Sequence, residues 1–355
     1  MVRVPVAVLG STGIVGQRLV RLLENHPWFE VSALAASSRS TGKRYGEAVK
    51  WYIEGSVPES VADTTIVPVD VEAVRRVGNA RLVFSALPSS VAAEVEPKFS
   101  RAGFPVVSDA SAFRMEEDVP VLIPEVNPEH LRLLGVQKER RGWSGFIVTN
   151  PNCTANILTL SLKPILDAYG IRRVVVTSLQ AISGAGYDGL PSMAIQDNVI
   201  PYISREEEKV EAETLKMLGE VSAQGVRNVS FRLSASCNRV LVYDGHTEVV
   251  HVETQSKAGP AEIAQTLREF RSRPQELRLP SAPPNPIVVR CEEDRPQPRL
   301  DRDAGRGMAV VVGRVRADSV FEEGVKYVVL GHNTLRGAAG NAVLSAELLL
   351  KEGWL

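Results

Sequence analysis

The sequence has only three cysteines, Cys153, Cys237 and Cys291, and no two of them lie close enough to form a Cys-x-x-Cys pair. An odd number of distant cysteines excludes a regular disulfide framework, and their spacing offers no structural zinc site. A surplus of charge is also missing, because 41 basic residues face 42 acidic ones. This balance does not predict a nucleic-acid partner, although a local basic pocket for phosphate stays open. We expect a reduced protein without a metal.

Long apolar runs are absent as well. The first apolar stretch, Val4 to Leu9, has the length of a strand and is shorter than the apolar part of a signal peptide, and no later stretch could span a bilayer. We therefore expect a cytoplasmic protein without a membrane partner. The chain has 355 residues, of which 44% are apolar and 23% charged. This composition is ordinary for globular proteins, and the length predicts two domains rather than one core.

Strand-like and helical segments alternate in the first 150 residues, which predicts a doubly wound, Rossmann-like parallel sheet of the α/β class. The strand-like runs are 4–9, 31–36, 82–86, 105–108 and 146–148, with helical stretches such as 91–99 between them. Later strands are longer, at 173–182, 240–243, 247–254, 308–315 and 326–330, with helices at 206–218 and 260–270. This second part predicts an α+β domain with a large mixed or antiparallel sheet. The last segment, 337–350, is expected to be a helix.

A glycine motif follows the first strand. Gly10, Gly13 and Gly16 are spaced as G-x-x-G-x-x-G and lead directly into a helical apolar pattern. In that context glycines permit a tight turn and the close approach of a pyrophosphate to the helix N-terminus. The commoner spacing is G-x-G-x-x-G, and a plain strand-to-helix turn is the alternative. We predict that this loop binds a dinucleotide.

The residues after the second strand predict which dinucleotide. No carboxylate is found there, and the segment Ser37-Ser38-Arg39-Ser40-Thr41-Gly42-Lys43 follows instead. A carboxylate would repel a 2′-phosphate, whereas an arginine and hydroxyl groups would bind it. A solvated polar loop is the alternative reading. The pattern favours NADP.

Cys153 follows Pro151 and Asn152 and precedes an apolar pattern of helical spacing. Proline ends the preceding strand, so Cys153 is expected in the first turn of a helix. Free backbone N–H groups and the helix dipole favour a thiolate at that position. A small buried hydrophobe is the usual role of a lone cysteine. In a cofactor-binding chain, however, a cysteine at a helix start is a candidate nucleophile.

The proton shuttle for such a nucleophile would come from one of five histidines. His26 and His130 lie in polar segments, and His251 and His332 lie in or beside strands, where structural hydrogen bonds are common. His246 lies in a turn between two strands and could face a cleft. Its position alone leaves a catalytic and a structural role open.

Several motifs occur in an order that is specific when they are taken together. They are Gly10 to Gly16, Asn152-Cys153-Thr154, Gln180 to Gly186, the block from Asn198 to Lys209, Asn238-Arg239, Asp244-Gly245-His246 and Asn333 to Ala339. This set resembles the aspartate-semialdehyde dehydrogenase family, particularly its archaeal and fungal branch, over essentially the whole chain.

The resemblance implies roles for individual residues. Cys153 corresponds to the nucleophile, His246 to the acid/base and Gln180 to the residue that orients the acyl intermediate. Arg239 corresponds to the group that binds the substrate α-carboxylate, which suits a bidentate guanidinium. Glu206 corresponds to the anion facing the substrate ammonium, and the neighbouring Glu207 and Glu208 leave open which carboxylate does so. The expected phosphate pocket consists of Arg114, Asn152 and Lys209.

The expected NADP site combines the glycine loop with later segments. Its residues are Gly10, Ser11, Thr12, Gly13, Ile14, Val15, Gly16, Ser37, Ser38, Arg39, Ser40, Ser85, Ser183, Gly184, Gly186 and Asn333. The resemblance also implies an NADP-binding domain at 1–152, completed by the C-terminal helix within 333–355, and a catalytic and dimerisation domain at 153–332. A homodimer or homotetramer is expected.

The implied reaction is the reversible, NADPH-dependent reductive dephosphorylation of L-4-aspartyl phosphate to L-aspartate 4-semialdehyde through a Cys153 thioester. It belongs to the biosynthesis of lysine, threonine and methionine. Three alternatives stay open. A malonyl-CoA reductase would share the nucleophile but need no ammonium pocket, an N-acyl-glutamyl-phosphate reductase would have its cysteine in a Gly-Cys setting, and a non-catalytic NADP-binding protein would not need Cys153. The charged residues named above could also be ordinary surface charges.

Overall fold

The computed structural model describes residues 3–222 and 225–355. Residues 1 and 2 of the predicted first domain, and residues 223 and 224 of the second, lie outside the described residues. Six short apolar strands form a parallel sheet in the first part of the chain, in the order β3-β2-β1-β4-β5-β6. They are β1 (Val4–Leu9), β2 (Phe29–Ala36), β3 (Val67–Pro68), β4 (Leu82–Ser85), β5 (Pro105–Ser108) and β6 (Phe146–Thr149).

Helices cover both faces of this first sheet, which is why its strands are continuous apolar runs. They are α1 (Ile14–Leu23), α2 (Tyr45–Ala48), α3 (Glu59–Ala62), α4 (Val71–Val77), α5 (Ser89–Arg101), a 3-10 turn (Pro128–Arg132) and α6 (Leu133–Arg141). One core lies between the sheet, α1 and residues 342–349 of the last helix, and a second contains Val74, Ala92 and Phe99 of α4 and α5. The C-terminal helix therefore packs on the first sheet.

The second sheet is mixed, in the order β10-β7-β11-β14-β13-β12, and β10 runs parallel to β7. Its strands are β7 (Ile171–Gln180), β10 (Arg232–Arg239), β11 (His246–Thr254), β12 (Ile287–Val289), β13 (Val310–Ala317) and β14 (Gly324–Gly331), and β8 (Glu220–Ser222) pairs separately with β9 (Gly225–Arg227). The helices in this part of the chain are α7 (Cys153–Tyr169), a 3-10 turn (Ile182–Ala185), α8 (Ser192–Ile195), α9 (Glu206–Met217), α10 (Pro260–Glu269), α11 (Arg273–Glu276), α12 (Pro298–Asp301), a π-helical turn (Leu335–Ala339) and α13 (Gly340–Lys351), the last of which packs on the first sheet. These two sheets confirm the predicted fold class.

One predicted strand is wrong. The apolar run Val240 to Tyr243 is a bend, and the strand lies just before it at Arg232–Arg239. This strand is polar because only Ala235, Cys237 and Arg239 along it are buried. Leu241 is 55% exposed, so the apolar residues that suggested a strand include side chains outside the core.

Among residues 3–222 and 225–355, no helix is both long and apolar enough to cross a membrane.

Candidate active site

Cys153 is the first residue of α7, as the sequence predicted. Asn152 caps this helix, because its side-chain oxygen accepts a hydrogen bond from the backbone N–H of Ala155 at 3.0 Å. The π-helical turn passes very close to the cysteine. A Cβ atom on Gly337 would lie 2.6 Å from the Cβ of Cys153, so only glycine fits there. The sequence analysis did not single out Gly337, although it lies inside the Asn333 to Ala339 motif.

Cys153 and His246 lie side by side, with 3.1 Å between the cysteine Sγ and the histidine Nε2. His246 is the first residue of β11 and is fully buried. Its other nitrogen, Nδ1, accepts a hydrogen bond from the backbone N–H of Ala181 at 3.0 Å. This arrangement of sulfur, imidazole and orienting group is the geometry of a nucleophile with its partner.

Burial governs the protonation of this pair. Together with the nearby Glu206, it raises the pKa of the Cys153 thiol to about 12, although Arg239 and Arg114 act to lower that pKa. Burial also lowers the pKa of His246 well below its usual value, with Arg239 and His332 adding to the effect. Both directions favour the uncharged thiol and the uncharged imidazole. The backbone N–H of Thr154 at the helix start lowers the Cys153 pKa, as the sequence predicted, but burial is the larger effect.

Arg239 and Gln180 are the last residues of β10 and β7 and lie opposite each other in the parallel register. The Arg239 Nη1 donates to the carbonyl of Ala181 at 2.7 Å. No ion pair within the described ranges includes Arg239, although its side chain is buried. The Gln180 Nε2 donates to Ser178 Oγ at 3.1 Å. A buried guanidinium without a carboxylate partner is suited to bind an anionic ligand.

Glu206 is the carboxylate that faces the nucleophile's helix. It begins α9, accepts a hydrogen bond from the Asn152 Nδ2 at 2.9 Å, and lies 3.9 Å from the Nζ of Lys209. Glu207 instead accepts from the backbone N–H of Cys237, and Glu208 is exposed. Of the three adjacent glutamates, Glu206 is therefore the one that is buried beside Asn152.

Arg114 is held near Asn152 by a carboxylate that was not predicted from the sequence. Its Nη1 donates to Glu213 at 3.1 Å, and the other oxygen of Glu213 accepts from the backbone N–H of Asn152 at 2.6 Å. Glu213 is buried and lies seven residues after Glu206 on α9. That spacing places both carboxylates on one helix face, and it is the signal that could have revealed Glu213.

The glycine loop lies where a dinucleotide would bind in a doubly wound sheet. The strand order reverses between β1 and β4, and the loop leaves the carboxyl end of β1. A Cβ atom on Gly16 would lie 2.2 Å from the carbonyl oxygen of Gly10, so helix and loop require glycine to pack this closely. Gly13 is the N-cap of α1 and supplies no capping side chain. The first-turn N–H groups therefore suit a pyrophosphate.

The loop after β2 runs beside the glycine loop. The backbone N–H groups of Gly10 and Ser11 both donate to the carbonyl of Ala35, at 2.9 and 3.1 Å. Ser37, Ser38 and Arg39 are exposed just beyond it, and Ser40 is partly buried. Ser85 differs from these residues, because its side chain is fully buried and faces Glu96 at the end of β4. Only the backbone around Ser85 could approach a cofactor.

Asn333 connects two loops beside the nucleophile. Its Nδ2 donates to Ser183 Oγ and its Oδ1 accepts from the N–H of Gly245, both at 2.8 Å. Gly184 packs against Arg239, since a Cβ atom there would lie 2.9 Å from the Arg239 Nη1. Gly186 ends the same turn with a φ of +75°. The structure thus brings this loop next to His246 and Arg239.

Comparison with known proteins gives consistent matches. The family model described as semialdehyde dehydrogenase, NAD binding domain, matches residues 5–134, and the one described as semialdehyde dehydrogenase, dimerisation domain, matches residues 162–336. An aspartate-semialdehyde dehydrogenase of Methanothermobacter thermautotrophicus is 56% identical over 98% of this chain and 99% of its own length. A malonyl CoA reductase (NADP) of Metallosphaera sedula is 40% identical over 98% of this chain and 97% of its own.

Among solved structures, the chain is similar to a crystal structure of aspartate semialdehyde dehydrogenase with NADP from Candida albicans. The two share 41% sequence identity, the match covers 100% of both chains, and the TM-score is 0.90.

Proposed function

The chain belongs to the aspartate-semialdehyde dehydrogenase family, and from that membership we propose that it reduces L-4-aspartyl phosphate to L-aspartate 4-semialdehyde with NADPH, reversibly. The observation that carries the proposal is the Cys153–His246 contact of 3.1 Å, flanked by Arg239, Glu206 and Arg114. The nucleophile and a counter-charge for each charged group of the substrate lie together. The same chemistry places the enzyme in the biosynthesis of the aspartate-derived amino acids.

Cys153 is the covalent centre of the proposed reaction. Its sulfur attacks the acyl carbon, phosphate leaves, and a thioester remains. The first-turn N–H groups of α7 would stabilise the oxyanion, and the amide of Gln180, at the end of β7, would orient the acyl group. Bound NADPH supplies the hydride that reduces this thioester. Collapse of the resulting thiohemiacetal frees the sulfur, with His246 facing it throughout.

Substrate selection rests on the charged side chains around Cys153. Arg239 would bind the α-carboxylate, because its buried guanidinium is bonded to a carbonyl and not to a carboxylate. Glu206 would face the α-ammonium. Arg114, Lys209 and the amide of Asn152 would bind the phosphate. Malonyl-CoA has no ammonium group, so a buried Glu206 favours the aspartyl substrate over that alternative.

The glycine loop and the loop after β2 would hold NADP. Residues Gly10 to Gly16 supply the turn and the start of α1 for the pyrophosphate, and Ser37 to Ser40 supply hydroxyls and Arg39 for the 2′-phosphate. Ser183, Gly184, Gly186 and Asn333 form the wall of the cleft beside His246, where the nicotinamide would have to lie for hydride transfer. Gly184 supports this assignment, because a Cβ atom on it would lie 3.4 Å from the His246 Nε2 that contacts the sulfur.

The division into domains and the assembly are part of the same proposal. The first sheet with α13 would form the NADP-binding domain, and the second sheet with α7 the catalytic and dimerisation domain. The face of the second sheet turned away from α7 exposes Val175 (42%) and Leu179 (37%) on β7. A second copy covering this face would give a homodimer, and two dimers a tetramer. A catalytic thiol also suits a reducing compartment such as the cytoplasm.

Two paired measurements test the function and the assembly. The enzyme should reduce NADP with aspartate semialdehyde plus phosphate, and should not oxidise NADPH with malonyl-CoA. The reverse preference would refute the substrate assignment, and inactivity with both would refute the enzyme assignment. Light scattering should give a multiple of the 38.6 kDa chain mass. Val175→Asp should reduce that mass, whereas Val77→Asp, at the exposed end of α4 beside the first sheet, should not.

A further inference from the structure

Arg18 lies on α1, the helix whose start forms the proposed pyrophosphate site, but its charge is directed away from solvent. Its Nη2 donates to the Asp244 Oδ2 at 3.2 Å, in the turn just before His246. Arg18 is only 6% exposed and Asp244 only 1%. The two residues are 226 positions apart in the sequence. A buried ion pair thus joins the helix of the glycine loop to the turn that carries the proposed acid/base.

This ion pair is a poor source of stability. The desolvation of two buried charges offsets most of their attraction, so a pair of apolar side chains would often serve the fold equally well. Both side chains also keep a buried polar atom that has no hydrogen-bond partner among residues 3–222 and 225–355, the Arg18 Nε and the Asp244 Oδ1. Buried polar atoms of this kind are rare, and a contact that leaves two of them calls for a role beyond stability.

Two other contacts hold the same turn from the part of the chain that forms the second sheet. The backbone N–H of Gly245 donates to the Asn333 Oδ1 at 2.8 Å, and the carbonyl of Asp244 accepts from the Arg302 Nη1 at 3.3 Å. The turn is therefore held in place beside the nucleophile without Arg18. What Arg18 adds is a fixed position of this turn relative to α1.

A second contact joins α1 to the later part of the chain at the same place. The Tyr187 hydroxyl donates to the Gln17 Oε1 at 2.8 Å, and the Gln17 Nε2 donates to the carbonyl of Thr12 in the glycine loop at 2.9 Å. Tyr187 directly follows Gly186, which ends the proposed wall of the nicotinamide cleft. Arg18 and its neighbour therefore link α1 both to the acid/base turn and to the nicotinamide wall.

We propose that Arg18 is a positioning residue for hydride transfer, because its pair with Asp244 sets the position of the dinucleotide on α1 relative to the acyl group on Cys153. This role rests on the function proposed above. The pyrophosphate is held on one side of the ion pair, and the sulfur, 3.1 Å from His246, on the other. A displacement of about 1 Å between reacting groups can slow a reaction about 100-fold. Loss of Arg18 therefore slows hydride transfer and leaves the other steps intact.

The hydride step can be measured alone in the direction of aldehyde oxidation. Without phosphate, aspartate semialdehyde forms a thiohemiacetal on Cys153, which passes its hydride to NADP and its hydroxyl proton to His246 and becomes a thioester. One NADPH forms per site, and rapid-mixing absorbance gives the rate. At saturating NADP, Arg18→Met should slow this rate about 30- to 100-fold. Deuterium on the aldehyde carbon should slow the variant further. Absence of an isotope effect in the variant would place the slow event elsewhere and overturn the proposal.

Two properties that do not involve hydride transfer should match the wild type. Alkylation of Cys153 by iodoacetamide, followed by mass spectrometry without substrate, should be unchanged because the contact with His246 remains. The Kd for NADPH should also be unchanged, because Arg18 contacts Asp244 and Glu54. A weaker Kd with a normal hydride rate at saturation would make Arg18 a cofactor-binding residue. A fall in alkylation as large as the fall in hydride transfer would indicate general damage to the site. Either result would overturn the proposal.

A double variant tests the pair without leaving a buried charge unpaired. Arg18→Met alone leaves Asp244 buried without its cation, which lowers stability. Arg18→Met/Asp244→Asn removes both charges and should melt near the wild-type temperature, yet transfer hydride as slowly as the single variant. A wild-type hydride rate in the double variant would overturn the proposal. A melting temperature far below the wild type would mark the pair as structural and would equally overturn it.

Two further substitutions sharpen the test. Arg18→Lys keeps a cation near Asp244 and should recover part of the hydride rate. Arg21→Met is the matched control, because Arg21 lies on the same helix, is exposed, and pairs locally with Glu24. It should transfer hydride at the wild-type rate, and a loss equal to that of Arg18→Met would refute the role of Arg18. Failure of the proposed function would appear in the wild type, which would form no NADPH with aspartate semialdehyde. The role of Arg18 is judged instead by the ratio of variant to wild-type rates with the aldehyde that the wild type oxidises.

Discussion

The two sides of Cys153 hold their arginines in different ways. Arg114, proposed to bind the phosphate, is paired with the buried Glu213, which also binds the backbone N–H of Asn152. Arg239, proposed to bind the α-carboxylate, is bonded to the carbonyl of Ala181, and no ion pair of the described residues includes it. One cation is paired with a carboxylate within the fold, whereas the other has no carboxylate partner among the described residues.

This difference indicates how each side contributes to binding and to stability. A buried arginine with its own carboxylate is a structural pair, and removal of one partner leaves the other charge unpaired. A buried arginine that contacts only a carbonyl is desolvated at a cost to folding, and an anionic ligand can offset that cost. We therefore expect substitution at Arg114 to reduce stability as well as phosphate binding, and substitution at Arg239 to reduce catalysis alone.

The largest effect is expected at the nucleophile between the two sides. Cys153→Ser should keep NADPH binding but lose turnover by several orders of magnitude, because a serine hydroxyl does not ionise near neutral pH. Steady-state assays with aspartate semialdehyde and phosphate measure this loss. Cys237→Ser and Cys291→Ser are matched controls that should keep most activity, since Cys237 is buried in β10 and Cys291 is exposed. Comparable losses in all three variants would contradict the assignment.

The comparison between the arginines gives the next prediction. Arg239→Leu should lower kcat/KM for the semialdehyde by about 30-fold to several thousand-fold, the equivalent of about 2–5 kcal/mol for an unpaired buried charge partner. Its melting temperature should not fall, because no carboxylate loses a partner. Arg114→Leu should lower the melting temperature, because Glu213 stays buried and unpaired. Equal decreases in the melting temperatures of Arg239→Leu and Arg114→Leu would contradict this difference between the two arginines.

The sequence predicted the elements whose patterns are local. The run Val4 to Leu9 is apolar throughout because helices cover both faces of β1, and Cys153 follows a proline that ends one element and an asparagine that caps the next. The strand Arg232–Arg239 was missed because its buried residues alternate with polar ones, and a more apolar stretch lies next to it. The local sequence pattern could not show which of the two segments forms the strand.

Features that depend on tertiary contacts could not be predicted from the sequence. The Cys153 pKa is raised by burial, and burial is set by packing of α7, α9 and the π-helical turn together. The Ala181 N–H has no side-chain signature at all. Glu213 is one of several acidic residues on α9, and only the fold shows that it binds Asn152. The ordered motifs suggested the role of each residue, whereas only the fold shows the distances between these residues.

A smaller effect should distinguish the three adjacent glutamates. Glu206→Gln should raise the KM for aspartate semialdehyde about tenfold or more, because the ammonium of the substrate loses a buried counter-charge, and hydrogen bonds to charged groups contribute about 1.5–3 kcal/mol. Glu208→Gln is the matched control, since that side chain is exposed. Substrate saturation curves for both variants give the two KM values that test this prediction. A larger change in Glu208→Gln would mean that α9 presents a different face to the substrate.

The smallest effect is expected at an arginine that differs from both Arg114 and Arg239 because it is exposed. Arg39 lies in the loop after β2, outside every ion pair formed by the described residues, and would bind the 2′-phosphate of NADPH. Water screens such a contact, so its loss should cost about 1 kcal/mol, or about a fivefold rise in KM. Arg39→Ala should show this rise with NADPH and little change with NADH, which lacks the phosphate. Lys43→Ala, in the same loop, is the matched control. It should change the KM for either cofactor less than Arg39→Ala changes the KM for NADPH. An equal rise in KM for the two cofactors in Arg39→Ala would indicate that the loop had lost its conformation. Arg39 could then no longer be compared, as the exposed arginine, with the buried Arg114 and Arg239.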